Sequence, residues 1–257
     1  MTLVKDAWAT LRRYTPARVG LGRTGVSLPT VRHLALQEAL ALARDAVRTP
    51  FEPEAIAVEL RTLGMEAVEC RSAAPDRETY LRRPDLGRRL ANASREDIRS
   101  RRGLSLDLAL VVADGLSAAA SQLHSAALLG ALRGLLPAST WALSPVVLVH
   151  KGRVAVGDEV AELLNARAVV VLIGERPGLS SIDSLGAYFT WAPRVGCRDA
   201  ERNCISNIRA EGLSIAAAVR ALAAMLLSAR AHQLSGVALT KAIGAETAAR
   251  VGLPREG

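Results

Sequence analysis

The chain has 257 residues, half hydrophobic but only 3% aromatic, so a core burying roughly three-quarters of the unfolded surface is within reach and is built mainly of Ala, Val and Leu. The net charge of +8 is almost all arginine, since lysine occurs only at Lys5, Lys151 and Lys241; acidic residues are interspersed and no aromatic-basic platform appears, which argues against a nucleic-acid surface and fits solvated faces or a subunit contact. The three cysteines, Cys70, Cys197 and Cys204, form no CxxC pair, which argues against a disulfide framework or a zinc site and for a reducing interior compartment.

Lys5 and Asp6 interrupt the N-terminus too early for a signal peptide, and no apolar run reaches the length of a membrane span. Residues 6–14 suggest a short helix. Gly20-Leu21-Gly22-Arg23-Thr24-Gly25 matches GxGxxG formally, but lacks the preceding strand and following helix that a dinucleotide loop needs, so a flexible connection is expected. A helix is predicted over 30–47, with Leu34, Leu40 and Leu42 among its apolar positions, and a second over 54–63, ended by Gly64. Residues 65–71 read as a short strand or an extended link. The run Tyr80-Leu81-Arg82-Arg83-Pro84-Asp85-Leu86-Gly87-Arg88-Arg89-Leu90 is either a solvated or partner-facing loop, the favoured reading, or an arginine clamp for phosphate.

After about Leu104 the texture alternates between strand and helix. A strand over 107–112 ends at Asp114-Gly115-Leu116-Ser117, and Ser117 caps a helix running to about Leu136. A strand over 145–150 is followed by the turn Lys151-Gly152-Arg153, a short extended piece over 154–156 and a helix over 158–165. The run from Ala168 to Gly174 is apolar at nearly every position, the habit of a parallel strand buried on both faces. It ends in Gly174-Glu175-Arg176-Pro177-Gly178. Residues 182–193 are mixed. A short strand is expected over 204–208, a long helix over 215–232 and a last short strand over 236–240. Repeated β-then-α units imply a doubly wound parallel sheet.

Ligands of such sheets sit beyond the carboxyl ends of the strands, so Asp114-Gly115, Lys151-Gly152-Arg153 and Glu175-Arg176 form the candidate address. Glu175 can accept hydrogen bonds from ligand amides, or pair with Arg176 to stiffen the turn. His33, His124, His150 and His232 share no metal-ligand spacing, and no GxSxG elbow is present. Cys204 has no base beside it in sequence and reads as a buried structural thiol.

Several of these segments, in order, resemble the small (light) subunit of ethanolamine ammonia-lyase. They are Thr15-Pro16-Ala17-Arg18-Val19-Gly20-Leu21-Gly22-Arg23, the run from Tyr80 to Leu90, Ala113-Asp114-Gly115-Leu116-Ser117, Val149-His150-Lys151-Gly152-Arg153-Val154, Leu172-Ile173-Gly174-Glu175-Arg176-Pro177-Gly178-Leu179, and Arg202-Asn203-Cys204-Ile205-Ser206-Asn207-Ile208. The resemblance implies a smaller, mainly helical N-terminal region (residues 1–103) and an α/β Rossmann-like domain with helices on both faces (104–241); residues 242–257 lie beyond the matching segments and are expected to form an exposed tail. It implies adenosylcobalamin held between this chain and a large subunit in a hetero-oligomer, with no membrane partner. Val154, Glu175 and Cys204 match the family's cobalamin contacts; Val154 and Cys204 are expected to act through backbone or shape, and Glu175 through its carboxylate.

The implied reaction turns ethanolamine into acetaldehyde and ammonia by a radical route begun by homolysis of the cobalt–carbon bond. The chain assigns itself no catalytic residue and no metal ligand, and is expected to be inactive alone. It lacks the Asp-x-His-x-x-Gly motif that supplies a protein imidazole to cobalt, so the cofactor's own dimethylbenzimidazole is expected to stay in place. The implied location is the bacterial cytoplasm; the long N-terminal extension of some members is missing, which leaves a bacterial microcompartment open. The rival readings are a free-standing α/β module for a nucleotide or small ligand, and an independent hydrolase or transferase using Asp114, Glu175 and Cys204.

Overall fold

The computed structural model describes residues 6–15, 17–102 and 105–250, without the side chains of Ala7 and residues 246–250. The boundary expected at 103/104, and the tail beyond residue 250, fall outside the described residues. Six strands form one sheet in the order β1-β3-β2-β4-β5-β6: β1 (Ala67–Arg71), β2 (Leu106–Ala113), β3 (Leu143–His150), β4 (Ala166–Gly174), β5 (Leu185–Trp191) and β6 (Arg202–Ile208). The fold is of the α/β class. β1 to β4 are parallel, as the sequence pattern predicted, but β4–β5 and β5–β6 are antiparallel, so the sheet is mixed. The ten residues between β4 and β5 are too few for a crossover helix, and β5 therefore returns beside its predecessor.

Eight α-helices are among the described elements: α1 (Thr30–Arg48), α2 (Pro53–Thr62), α3 (Arg77–Arg82), α4 (Asn92–Ser100), α5 (Ala118–Leu135), α6 (Val156–Leu164), α7 (Ile215–His232) and α8 (Gly236–Arg250). One face of the sheet packs Leu110, Val170, Leu172 and Phe189 under Leu60, Leu128, Leu132, Leu222, Leu226 and Leu239 of α2, α5, α7 and α8. The other packs Val111, Val169 and Val171 under Ile98, Val156, Val160 and Leu164 of α4 and α6. Each central strand alternates its side chains between these two cores, which is why β4 is apolar almost throughout. Gly157 lets α6 approach closely, since a Cβ there would lie 2.3 Å from Val171.

Several expectations are corrected. Residues 236–240 begin α8 rather than a strand: Gly236 has φ of 67° and its N–H donates to Asn203 Oδ1 at 2.7 Å, which starts the helix against β6. Residues 154–156 are not extended but turn directly into α6, with Gly157 N bonded to Val154 O. α1 buries only Ala39 and Ala46; Leu34, Leu40 and Leu42 are exposed. By length and hydropathy α7 passes as a membrane span, contrary to the sequence reading. In the fold it is a core helix that buries Ala218, Val219, Leu222 and Leu226. The GxGxxG segment follows a 3-10 turn, with no strand before it among the described residues.

Candidate functional site

Beyond the carboxyl ends of β2 and β4 the expected crevice is filled by the protein itself. A Cβ on Gly115 (φ 56°) would sit 2.2 Å from Gly174 O, and one on Gly174 would sit 1.9 Å from Ser117 O. The two loops are thus wedged together, and Leu116 N donates to Gly174 O at 2.9 Å. Ser117 closes the junction: its hydroxyl accepts from Ala120 N as the cap of α5 and donates to Ile182 O. His124, buried on α5, contacts Asp183 O at 3.0 Å and pins the far end of the loop that begins at Glu175.

This packing turns the Glu175 side chain sideways, over β5 and β6. Its carboxylate accepts from the Ser184 hydroxyl, from the Ser206 hydroxyl at 2.5 Å and from Asn207 N at 3.2 Å. Asn207 reaches it because its φ of 59° is left-handed, a conformation Asn tolerates. No ion pair joins Glu175 to Arg176 among the described residues; the carboxylate is held by hydroxyls and an amide instead. A carboxylate offers about four acceptor positions, and three donors occupy it, two on Oε2 and one on Oε1. Beside Oε1 is Gly186, where a Cβ would lie 3.0 Å from that oxygen and 3.0 Å from Tyr188.

Cys204 pairs across the sheet with Tyr188, on the same face as Gly186 and Ser206. The thiol is exposed, not buried as its sequence context suggested. Desolvation against the sheet and the charge of Glu175 raise its pKa, opposed by a hydrogen bond with Tyr188, so it is no activated nucleophile. The Tyr188 hydroxyl is pushed up as well, chiefly by desolvation and then by Cys204. Arg202, next on that face of β6, makes a two-pronged ion pair with Asp158 of α6, with both N–O distances 2.6 Å, and also donates to Thr190 and to Cys197 O.

Val154 stands apart from the other two. It is half-buried at the entrance to α6 and lines a hollow of ≈ 610 Å³ that it shares with Arg202 but not with Glu175 or Cys204. Arg202 borders that hollow and also lies on the β6 face that carries Cys204. Asp114, at the end of β2, is buried and its carboxyl is raised to about 6 by desolvation, against the pull of Arg77 at 3.5 Å and Gly152 N at 3.2 Å. Its bonds are to this loop structure, so Asp114, Glu175 and Cys204 do not assemble into a nucleophile with a base. No group of three or more His, Cys, Asp or Glu among the described residues is placed to hold a metal ion.

The sequence missed Ser184, Gly186, Tyr188 and Ser206. Ser206 carried a signal, since it lies two residues from Cys204 and shares its face in a strand. The β5 residues carried none, because only the antiparallel pairing brings them to Glu175.

Fold and geometry define an α/β protein whose mixed sheet leaves Cys204 and Ser206 exposed on the face that carries the Glu175 carboxylate. Residues 5–240 match the family model described as Ethanolamine ammonia-lyase light chain (EutC). The chain is 58% identical over 238 residues to an ethanolamine ammonia-lyase small subunit of Azotobacter vinelandii, covering 91% of this chain and 88% of that one. Small subunits of Xanthomonas campestris pv. campestris (91% and 88% covered) and Pseudomonas aeruginosa (91% and 87%) are each 56% identical. The chain belongs to the ethanolamine ammonia-lyase small-subunit family, and the name small subunit implies a large one.

Proposed function

We propose that this chain is the cofactor-holding subunit of an adenosylcobalamin-dependent ethanolamine ammonia-lyase, working in a hetero-oligomer with a large subunit that carries the substrate site. One observation carries the reading: Glu175 is a carboxylate fixed by three internal donors, yet it keeps an acceptor position on Oε1 beside the gap at Gly186. The corrin ring of cobalamin is rimmed with primary amides, and an amide N–H is the donor such a position suits. When bound, the cofactor supplies the radical chemistry through homolysis of its cobalt–carbon bond.

The chain's own contribution is placement. Glu175 accepts from the rim amide, and the internal donors hold its carboxylate in one orientation. Tyr188 and Cys204, both neutral, give a flat surface against which a macrocycle can lie without competing redox or nucleophilic chemistry. Val154 presents the end of the β3 loop at the edge of the same region.

The test is reconstitution. The chain mixed with the large subunit and adenosylcobalamin should form acetaldehyde from ethanolamine, and neither chain should do so alone. Turnover by this chain in the absence of the large subunit would overturn the reading, as would full activity of the large subunit without it.

A further inference from the structure

Glu175 takes its donors from two separate segments: Ser184, just before β5, and Ser206 with Asn207, at the end of β6. The last register pair of the two strands is Leu185 with Ile208, and both are buried. Ser184 and Arg209 each lie one residue beyond that pair, where the ladder no longer aligns the chains.

The side chain of Arg209 continues the alignment. It is 8% exposed; its Nη1 donates to Ser180 O at 2.7 Å, its Nη2 pairs with Glu211, and its Nε lies 3.7 Å from Asp183. Ser180 and Asp183 belong to the link between β4 and β5, which begins at Glu175 and ends at Ser184. Arg18, Ser117 and His124 also bond carbonyls of this link, at Leu179, Ile182 and Asp183. Those three hold it to the N-terminal segment and to α5, whereas Arg209 comes from the β6 side.

The backbone around Arg209 holds Asn207. Arg209 N donates to Leu213 O at 3.1 Å, and Leu213 N donates to Asn207 O at 2.8 Å. Gly212 closes this turn so tightly that a Cβ there would lie 2.4 Å from Asn207 O. The turn keeps Asn207 left-handed, the conformation in which its N–H reaches Glu175. Arg209 is thus anchored at both groups of donors. A buried guanidinium is costly to leave without acceptors, so separating the link from the end of β6 is opposed by the loss of its bonds to Ser180 and Asp183.

We infer that Arg209 is a positioning residue for Glu175. It acts through the carboxylate and not on a ligand, by keeping Ser184 on one side and Asn207 on the other in register, so that the acceptor position on Oε1 points in one direction. The effect on corrinoid affinity rests on the function proposed above; the brace between the link and β6 does not.

The test uses the chain assembled with its large subunit and two measurements. One is hydrogen–deuterium exchange without cofactor, read by mass spectrometry on peptides covering 175–184 and 202–208, with 166–174 as the internal reference. The other is cobalamin affinity, read by absorbance. Arg209→Met should speed exchange at Asn207 about tenfold and weaken cobalamin about tenfold, the equivalent of one charge-assisted bond, with β4 unchanged. Arg209→Lys, which keeps a donor but not the fork, should fall between. In a Glu175→Ala background, adding Arg209→Met should weaken cobalamin by no more than about twofold, since the residue it acts through is gone. Wild-type exchange at Asn207 in Arg209→Met overturns the inference, as does a full tenfold loss that persists on Glu175→Ala. If Glu175→Ala itself binds cobalamin as the wild type does, the proposed function loses its contact, and exchange at Asn207 decides for or against the brace. If Arg209→Met does not assemble with the large subunit, Arg209→Lys carries both measurements.

Discussion

Removing the carboxylate of Asp158 should be among the most damaging single changes to this chain. Its side chain is 1% exposed, that of Arg202 is 4% exposed, and the two meet at 2.6 Å on both prongs. Asp158→Ala leaves a guanidinium buried with only Thr190 and Cys197 O as acceptors, a loss of about 3–5 kcal/mol. In urea, with a slope of about 3 kcal/mol/M, the midpoint should fall by roughly 1–1.7 M, and the melting temperature by about 10 °C. The paired replacement Asp158→Leu/Arg202→Met fills the same space without charge and should recover most of that loss. A single-variant cost below about 1 kcal/mol, or a double-mutant cycle with no coupling, would refute the argument that this pair latches β6 to α6.

Gly186→Ala places a methyl 3.0 Å from Glu175 Oε1 and from Tyr188; corrinoid affinity in the assembled enzyme should drop about tenfold or more, with the urea midpoint nearly unchanged. Asp114 titrates near 6 in the fold, against 3.8 ordinarily. Because that pKa is raised, keeping it ionised costs stability at neutral pH, and the cost disappears as pH falls through 6 towards 4. The stability of the wild type relative to Asp114→Asn should therefore rise by up to ~3 kcal/mol between pH 7.5 and 4, and a difference independent of pH would contradict the assignment. Cys204, though exposed, should alkylate slowly at pH 7.5 and faster only above about 9, as followed by mass spectrometry of the labelled peptide.

The legible parts of the fold are those whose burial is two-sided or whose caps are local. β4 announces itself because both cores claim its side chains, and α5 because Ser117 caps it. The five residues 236–240 misled because a short apolar run fits a buried helical turn as well as a strand, and the bond that decides, Gly236 N to Asn203, spans 33 residues. Cys204 read as buried because free cysteines usually are; its neighbours Ile205 and Ile208 do face the core, but the thiol lies on the opposite, exposed side of β6. Glu175 was marked by its place after β4. Its orientation was not, because the Gly115–Gly174 contact that turns it is between distant residues.

The reversal of chain direction at β5 has an architectural consequence. A parallel strand must be reached by a crossover, and a crossover lays a helix on the sheet. By running backwards, β5 and β6 are joined to β4 by short connections, so Ala187, Phe189 and Ile205 are roofed on one side while Cys204 and Ser206 stay bare on the other. The uncovered strip is bounded by Glu175, which reaches over to Ser206 and Asn207, and by the Arg202–Asp158 pair. In this sheet, the direction of the chain decides which strands go without a crossover helix, and lengthening the link from Trp191 to Arg202 into a helix would cover them.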